Sequence, residues 1–238
     1  MTILQCVNEI EELIRIHGLT SDNKLSRRLI LQFMNNQRSL WLKNELNKGR
    51  SIEDNIRQPI DGLKLKAVNG STFIDDPSSY NIFRTELRIP TLVELSHDYN
   101  VLFIRTSGIK ETKLSYVHRD RIPYVGHTRF SKNKPFVTIY DGYIWLITNK
   151  FSFKYNMIDY LSIEGIFEQP ELVYSYKNNS YIYNTGTIGI NDVFAEKYPV
   201  SQAMWTYIKN AILQTDIQVV INSKLKELEL DVKKETIS

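Results

Sequence analysis

His118-Arg119-Asp120 spells the opening of a protein-kinase catalytic loop, in which the aspartate takes a proton from a substrate hydroxyl. The rest of that machinery is missing from the sequence. No D-F-G or G-x-G-x-x-G occurs, and Val125 stands where the loop's metal-binding asparagine belongs. The four histidines, His17, His97, His118 and His127, form no i,i+4 pair and no H-E-x-x-H motif. Zinc chemistry therefore has no local ligand set, Cys6 alone cannot complete one, and the histidines read as surface or hydrogen-bonded side chains. Asp75-Asp76 before Pro77 offers two carboxylates to a magnesium ion. Adjacent acids diverge on an extended chain, so a turn with an Asx start is the better reading. GTIGIND, residues 186–192, lacks the Lys-Ser/Thr end of a phosphate-binding loop and reads as a bend or bulge between strands. No serine sits in a G-x-S-x-G elbow. The sequence assigns no catalytic, metal-ligating or cofactor-binding residue, and the expectation is a protein that performs no reaction and carries no cofactor.

One local charge bias stands out. In HRDRIPYVGHTRFSKNK, residues 118–134, Arg119, Arg121, Arg129, Lys132 and Lys134 face a single acid, Asp120, with Tyr124 and Phe130 interleaved. Two readings stay open: a solvated loop, or a surface that meets an acidic partner or a nucleic-acid backbone through charge-assisted hydrogen bonds. The segment leads into FVTIYDGYIWLIT, residues 136–148, where an Asp-Gly pair between aromatic and β-branched runs predicts a hairpin on a two-residue type I′ turn. The register follows from the turn. Tyr140 faces Tyr143, Thr138 faces Trp145 and Phe136 faces Ile147 on one side, and Ile139 pairs with Ile144 and Val137 with Leu146 on the other. Neither side is polar, so both are expected to be covered, by this chain or by another molecule.

The elements that hold these segments come in three stretches. Ile3, Leu4, Val7, Ile10, Leu13, Ile14 and Ile16 form a near-helical stripe that Gly18 stops. A second helix follows Ser26, with Leu29, Phe33, Met34, Gln37, Leu40, Trp41 and Leu46 in 3.6-residue spacing up to Gly49, and the two predict an antiparallel αα-hairpin over 1–58. From 59 to 198 the texture shortens to period-two runs broken by Gly, Asn, Asp and Pro. LKLKAV, TELRIP, YNVLFIRT, KLSYVHRD, the hairpin arms, LSIEGIF and SYIYN are the predicted strands, and IDDPSSYNIF and GHTRFSKNKP the predicted long loops. The expectation is an α+β chain with an inserted antiparallel β-sandwich or open barrel.

Residues 199–238 return to helical spacing through Met204, Trp205, Ile208, Ile212, Ile217, Val220, Ile221, Leu225 and Leu228. An unbroken helix from 199 to 230 would run about 45 Å, with Gln214-Thr215-Asp216 as its weak point. Its first half is expected to pack with the N-terminal helices. Beyond Ile217 the chain runs out of its own material, so the later stripe is expected to seek a partner groove.

Composition excludes more than it selects. The 238 residues carry 30 basic and 27 acidic side chains, a formal charge of +3, with 42% apolar content. That is enough for a core and too balanced to announce nucleic acid or a membrane surface as partner. Glu9, Glu11 and Glu12 interrupt the first apolar run, which reads as a surface helix and not a signal peptide, and no uncharged apolar run reaches the roughly 18 residues of a membrane span. A single cysteine suits a reducing cytosol, in which the sequons at Asn69 and Asn178 are chance matches.

RIPYVGHTRFSKNKPFVTIYDGYIWLIT (121–148), IEGIFEQPEL (163–172), YPVSQAMWTYIKNAILQTD (198–216) and the helical RSLWLKNELNKGRSIEDNIRQ together resemble a virion structural protein of crAss-like bacteriophages. The resemblance spans most of the chain, with residues 69–86 outside it. It implies a ring in the head-to-tail connector, like the adaptor beneath the portal of short-tailed phages. Twelve copies, the portal, further tail or connector rings, and duplex DNA sliding through without sequence-specific contact are the implied partners. Assembly would take place in the bacterial host cytoplasm. Trp205, Ile208 and Ile212 match the family helix. With Ile217, Val220, Ile221 and Leu225 they are the expected portal contact, while Tyr140, Tyr143, Trp145, Tyr124 and Phe130 are the expected contact between ring neighbours. Two rivals stay open: a nucleic-acid-binding module using the β insert as an OB-like face with Tyr124, Phe130 and the adjacent basic residues, and a virion-associated hydrolase or nuclease with a site assembled by folding.

Overall fold

A computed structural model describes residues 1–16, 25–68, 80–94, 101–107, 112–125, 134–149, 158–177 and 194–218. The chain divides into two compact units, one from Met1–Ile56 with Thr187–Ser238 and one from Arg57–Gly186.

The first unit is helical. Helix α1, Ile3–Ile16, buries Ile3, Cys6, Val7, Ile10 and Ile14, the 3–4 spacing of one apolar stripe. Helix α2, Arg27–Asn47, begins where Ser26 caps it, the Ser26 hydroxyl accepting from the Leu29 N–H at 3.2 Å. Gly49, at φ 73°, closes its C-terminal side. Its buried face is Ile30, Leu31, Met34, Gln37, Arg38 and Leu42, rotated from the stripe that hydrophobicity predicts, and Leu40 is exposed. The rotation has a physical cause. Arg38 is fully buried and its Nε donates to the Pro199 carbonyl at 3.1 Å, so a charged residue marks the inner face and apolar spacing alone points the helix wrongly.

The stretch 194–201 ties the ends of the unit together. Thr2 and Lys197 pair as an antiparallel bridge, Ile3 N–H donates to Glu196 O, and the buried Tyr198 hydroxyl donates to Asn35 Oδ1 at 3.0 Å. Helix α3, Pro170–Lys177, belongs to the other unit. Helix α4, Gln202–Ala211, starts at the Ser201 cap and runs into a π-helical turn, Ile212–Asp216. This is the predicted weak point. Ile217 follows Ile212 by five residues, which in an α-helix is roughly 140° away from it around the axis. A π turn bonds i to i+5, and here the Ile217 N–H donates to Ile212 O. Both isoleucines therefore reach the interior, at 0% and 3% exposure.

The second unit is a closed barrel of seven strands among the described residues. These are β1 Gln58–Ala67, β2 Tyr80–Thr85, β3 Val101–Thr106, β4 Lys113–Tyr116, β5 Phe136–Tyr140, β6 Tyr143–Asn149 and β7 Tyr160–Gly165, in the order β1-β2-β6-β5-β4-β3-β7 and back to β1. The expected sandwich or open barrel is corrected on two points: β7 pairs β1 and closes the sheet, and β4 runs parallel to β5. Closure removes the edge strands that an open sheet would leave unpaired. Strand β1 makes it geometrically feasible by pairing β7 with its first half and β2 with its second. A one-residue bulge between Ile60 and Leu63, where Gly62 takes φ 72°, bends the strand between them.

Two sequence expectations are corrected here. Tyr80–Thr85 is a strand where IDDPSSYNIF reads as loop, and the rest of TELRIP is not strand. Helix α3 falls within the β-rich stretch 59–198, where the sequence reading names no helix. SYIYN and residues 219–238 lie outside the described residues. Inside the barrel Ile60, Leu63, Leu65, Val137, Ile139, Ile144, Leu146, Leu161 and Ile163 form one cluster, and Ile89, Leu92, Phe167 and Val173 of α3 pack on it. Gln58 Nε2 fixes α3 by donating to the Pro170 carbonyl at 3.1 Å.

Candidate interaction surface

The hairpin β5–β6 forms in the register that its turn dictates, with Asp141 and Gly142 at φ 50° and 72°. Alternation then sends Val137, Ile139, Ile144 and Leu146 into the barrel and Phe136, Thr138, Tyr140, Tyr143, Trp145 and Ile147 outward. Strand β2 pairs β6 and adds Ile82 and Arg84 to the outer side, opposite Ile147 and Trp145.

The outer side is covered largely by this chain, one of the two kinds of cover that its apolar sides predict. A 3-10 helix, Arg119–Tyr124, lays Ile122 with Val117, Val125 and Tyr80 around Phe136 and Ile147. Trp145 is 6% exposed, with its indole N–H donating to Tyr140 O at 3.1 Å. Arginines finish the cover. The Arg84 guanidinium lies 4.4 Å from the Tyr143 ring centre and 5.8 Å from that of Trp145, Arg88 lies 5.4 Å from Tyr143, and Arg119 lies 3.8 Å from Tyr140. These are cation–π distances. Arg88 also donates from Nη2 to both Asp141 oxygens at 3.1 Å. The Tyr143 side chain and the Asp141 charge hold its guanidinium above the ordinary arginine range.

The basic segment and the hairpin it leads into thus meet at Arg119 and Tyr140. Arg121, Tyr124 and Lys134 are exposed, Tyr124 at 79%. Arg129, Phe130 and Lys132 lie outside the described residues. Sequence reasoning missed Arg84 and Arg88. Nothing local marks them, because their role depends on β2 pairing with β6 across about sixty residues of chain.

In the helical unit the first half of the last stripe packs inward, as its spacing predicts, and Ile217 joins it. Trp205, Ile208, Ile212 and Ile217 are 0–3% exposed, used in the unit's own interior. The Trp205 indole N–H donates to Glu9 Oε2 at 2.9 Å, and Lys209 Nζ reaches the same oxygen at 3.3 Å. The polar tip of the tryptophan is already satisfied within the chain. Val220, Ile221 and Leu225 lie outside the described residues.

Among the described residues the chemistry-bearing side chains form no cluster beyond one surface pair. His118 Nδ1 pairs with Asp120 Oδ2 at 3.2 Å on the surface, at the start of the 3-10 helix and not in a cleft. Burial pushes the Cys6 thiol up to about 12, which keeps it protonated and unreactive. Among the described residues no group of three or more His, Cys, Asp or Glu could hold a metal ion, and no helix is long and apolar enough to cross a membrane. His17, His97, His127, Asp75-Asp76, GTIGIND and both sequons lie outside the described residues.

A barrel whose outer side carries stacked arginines and half-covered tyrosines has the makings of a protein–protein contact, where aromatic residues and arginine are enriched. The model of the CrAss ring 2 family, described as phage tail ring protein 2, matches residues 5–227, and the chain belongs to that family. It is a structural component of the virion, and a ring protein assembles with other phage tail components. A search of curated proteins finds no match to the chain.

Proposed function

We propose that the chain is one subunit of a ring, twelve copies by analogy with short-tailed phages, in the head-to-tail connector beneath the portal. There it joins the portal to the tail barrel and forms part of the DNA conduit. The observation that carries this reading is the family match over residues 5–227. A formal charge of +3 on 238 residues fits a channel through which duplex DNA slides, since each strong phosphate contact adds grip. With Trp205, Ile208, Ile212 and Ile217 internal, contact with the portal falls to exposed helix faces, where Leu40 of α2 and Tyr207 of α4 are 52% and 44% exposed. Val220, Ile221 and Leu225 remain part of the proposed contact.

The test is to mix the purified chain with its cognate portal and image the product by electron microscopy. A ring seated on the portal is expected, and a portal left bare, or a chain attached elsewhere in the particle, overturns the reading. A chain ended after Gln218 keeps every described helix. Loss of attachment on that truncation supports the role of the residues beyond it, and full attachment removes them from the contact.

A further inference from the structure

We propose that the arginine–aromatic side of the barrel docks an acidic peptide segment of another tail component, with Arg84 and Arg119 as the groups that take its carboxylates. The inference rests on the chain being a ring component that assembles with other tail proteins. It goes beyond the portal reading, which concerns the helical unit, so the two fail separately.

The cations are held in place by the rings beneath them. Arg84 of β2 is half-buried, its guanidinium 4.4 Å from the Tyr143 ring centre and 5.8 Å from that of Trp145, both on the strand that β2 pairs with. Among the described residues it has no carboxylate partner, and its Nε is withdrawn from solvent with no acceptor. A guanidinium fixed on flat rings and already partly dehydrated loses little freedom and little hydration when a carboxylate arrives. Tyr140 pairs with Tyr143 directly across the turn, which brings Arg119, 3.8 Å from the Tyr140 ring centre, to the neighbouring position. The acids beside these groups are engaged: Glu86 faces Lys64, Asp120 faces His118 and Asp141 faces Arg88. Arg84 is left to an incoming charge.

The surroundings select a polypeptide over a nucleic-acid backbone. Tyr140 and Tyr143 are partly exposed, so a partner meets ring area as well as charge. Arginine with tyrosine and tryptophan is the combination that carries most binding energy between proteins. Asp120 and Asp141 are exposed on the same elements, where a continuous row of phosphates would be repelled by them. An extended acidic segment sets its carboxylates singly, about 7 Å apart along one side at every second residue. It can therefore reach the two arginines without crowding either aspartate.

The first arm of the test titrates the full chain with a short polyglutamate peptide, and in parallel with a short DNA duplex, by calorimetry. The peptide is expected to bind, and Arg84→Ala to weaken it roughly fivefold or more. Arg84→Lys is expected to weaken it as much, because lysine keeps the charge and loses the planar stack. Arg119→Ala reads the same loss without disturbing the cover of Trp145. Absence of peptide binding, wild-type binding by Arg84→Lys, or tighter binding of the duplex through the same arginines each overturns the proposal. The second arm places a photoactivatable benzophenone amino acid at Tyr140 in assembled virions and identifies the linked peptide by mass spectrometry. A segment of another tail protein with Asp or Glu within a few residues of the link is expected. Exchanging that acid for lysine is expected to lower ring occupancy in the particle roughly tenfold, and Arg84→Glu to restore it. A link to DNA, to a second copy of this chain or to a segment without acids overturns the proposal, as does no link at all. Electron microscopy of the same particles locates the ring, and a ring away from the portal defeats the portal reading while leaving the docking site intact.

Discussion

Trp205 in the helical unit and Trp145 on the barrel are both nearly hidden, at 1% and 6% exposure, yet they are hidden by different things. Trp205 sits under α1, its N–H answered by Glu9 within the same unit. Trp145 lies beneath a long arginine side chain, with the Arg84 guanidinium 5.8 Å from its ring centre and Tyr143 and Tyr140 only partly sheltered. The resemblance gives both a partner, although helical spacing alone already sets Trp205 against the N-terminal helices. Burial beneath another helix makes a core, whereas burial beneath a charged side chain makes a surface that a partner can still reach by meeting the charge.

The largest effect that tests this contrast is Trp205→Ala, expected to cost about 3–5 kcal/mol of unfolding free energy by denaturant titration, the usual range for a core tryptophan. A variant that stayed as stable as wild type but no longer assembled would put Trp205 back in an interface and erase the contrast. Next comes pH. A thiol near 8.5 in the unfolded chain and pushed up to about 12 in the fold contributes fully below the unfolded value. Its contribution falls as pH rises from about 8.5 towards about 12, by roughly 1.4 kcal/mol per unit once the unfolded thiol ionises. The native chain is accordingly expected to resist thiol alkylation at pH 9 until denaturant is added. Rapid labelling of the folded chain would mean that α1 is not closed over.

These first two tests probe what periodicity already made legible. The α1 stripe, the helix start after Ser26 and the β5–β6 register are all set by residues within a few positions of each other, so spacing and turn chemistry suffice to read them. The illegible features depend on distant pairings. Strand β2 follows a run rich in Asp, Pro and Ser that reads as loop, and only β6 makes it a strand. Closure needs β1 to meet β7 a hundred residues later. The burial of Arg38 needs Pro199. Helix α3 did carry a local signal, Pro170 and Glu171 in its first turn, which a reading tuned to strands passed over. The candidate surface was half legible for the same reason: its tyrosines and Arg119 were picked out, its Arg84 and Arg88 were not.

Smaller effects sharpen the barrel side. Gly142→Ala is expected to cost about 1–2 kcal/mol from the positive φ alone, because an added Cβ would meet Arg88 only at 3.6 Å, an ordinary contact. A loss well beyond that, by thermal melting, would show that the turn bears more of the fold than its geometry explains. Smallest of all, Arg119→Ala is expected to change stability by no more than about 0.5–1 kcal/mol, the worth of an exposed cation–π pair. A large loss would make that stack part of the core and cancel the distinction between the two tryptophans.

The π turn at Ile212–Asp216 carries a further consequence. Thr215 Oγ1 donates back to Ala211 O at 2.7 Å and Gln37 Nε2 donates to Asp216 Oδ2 at 3.0 Å, so the surplus residue is clasped where it bulges. Such a loop works like a vernier: one residue is gained or dropped without re-indexing which isoleucine points inward. A chain shortened by one position between Ala211 and Ile217 would keep its inner side by relaxing to an ordinary α-helix. Descendants of one ancestor can thus differ in length there while remaining interchangeable in the same helical pack.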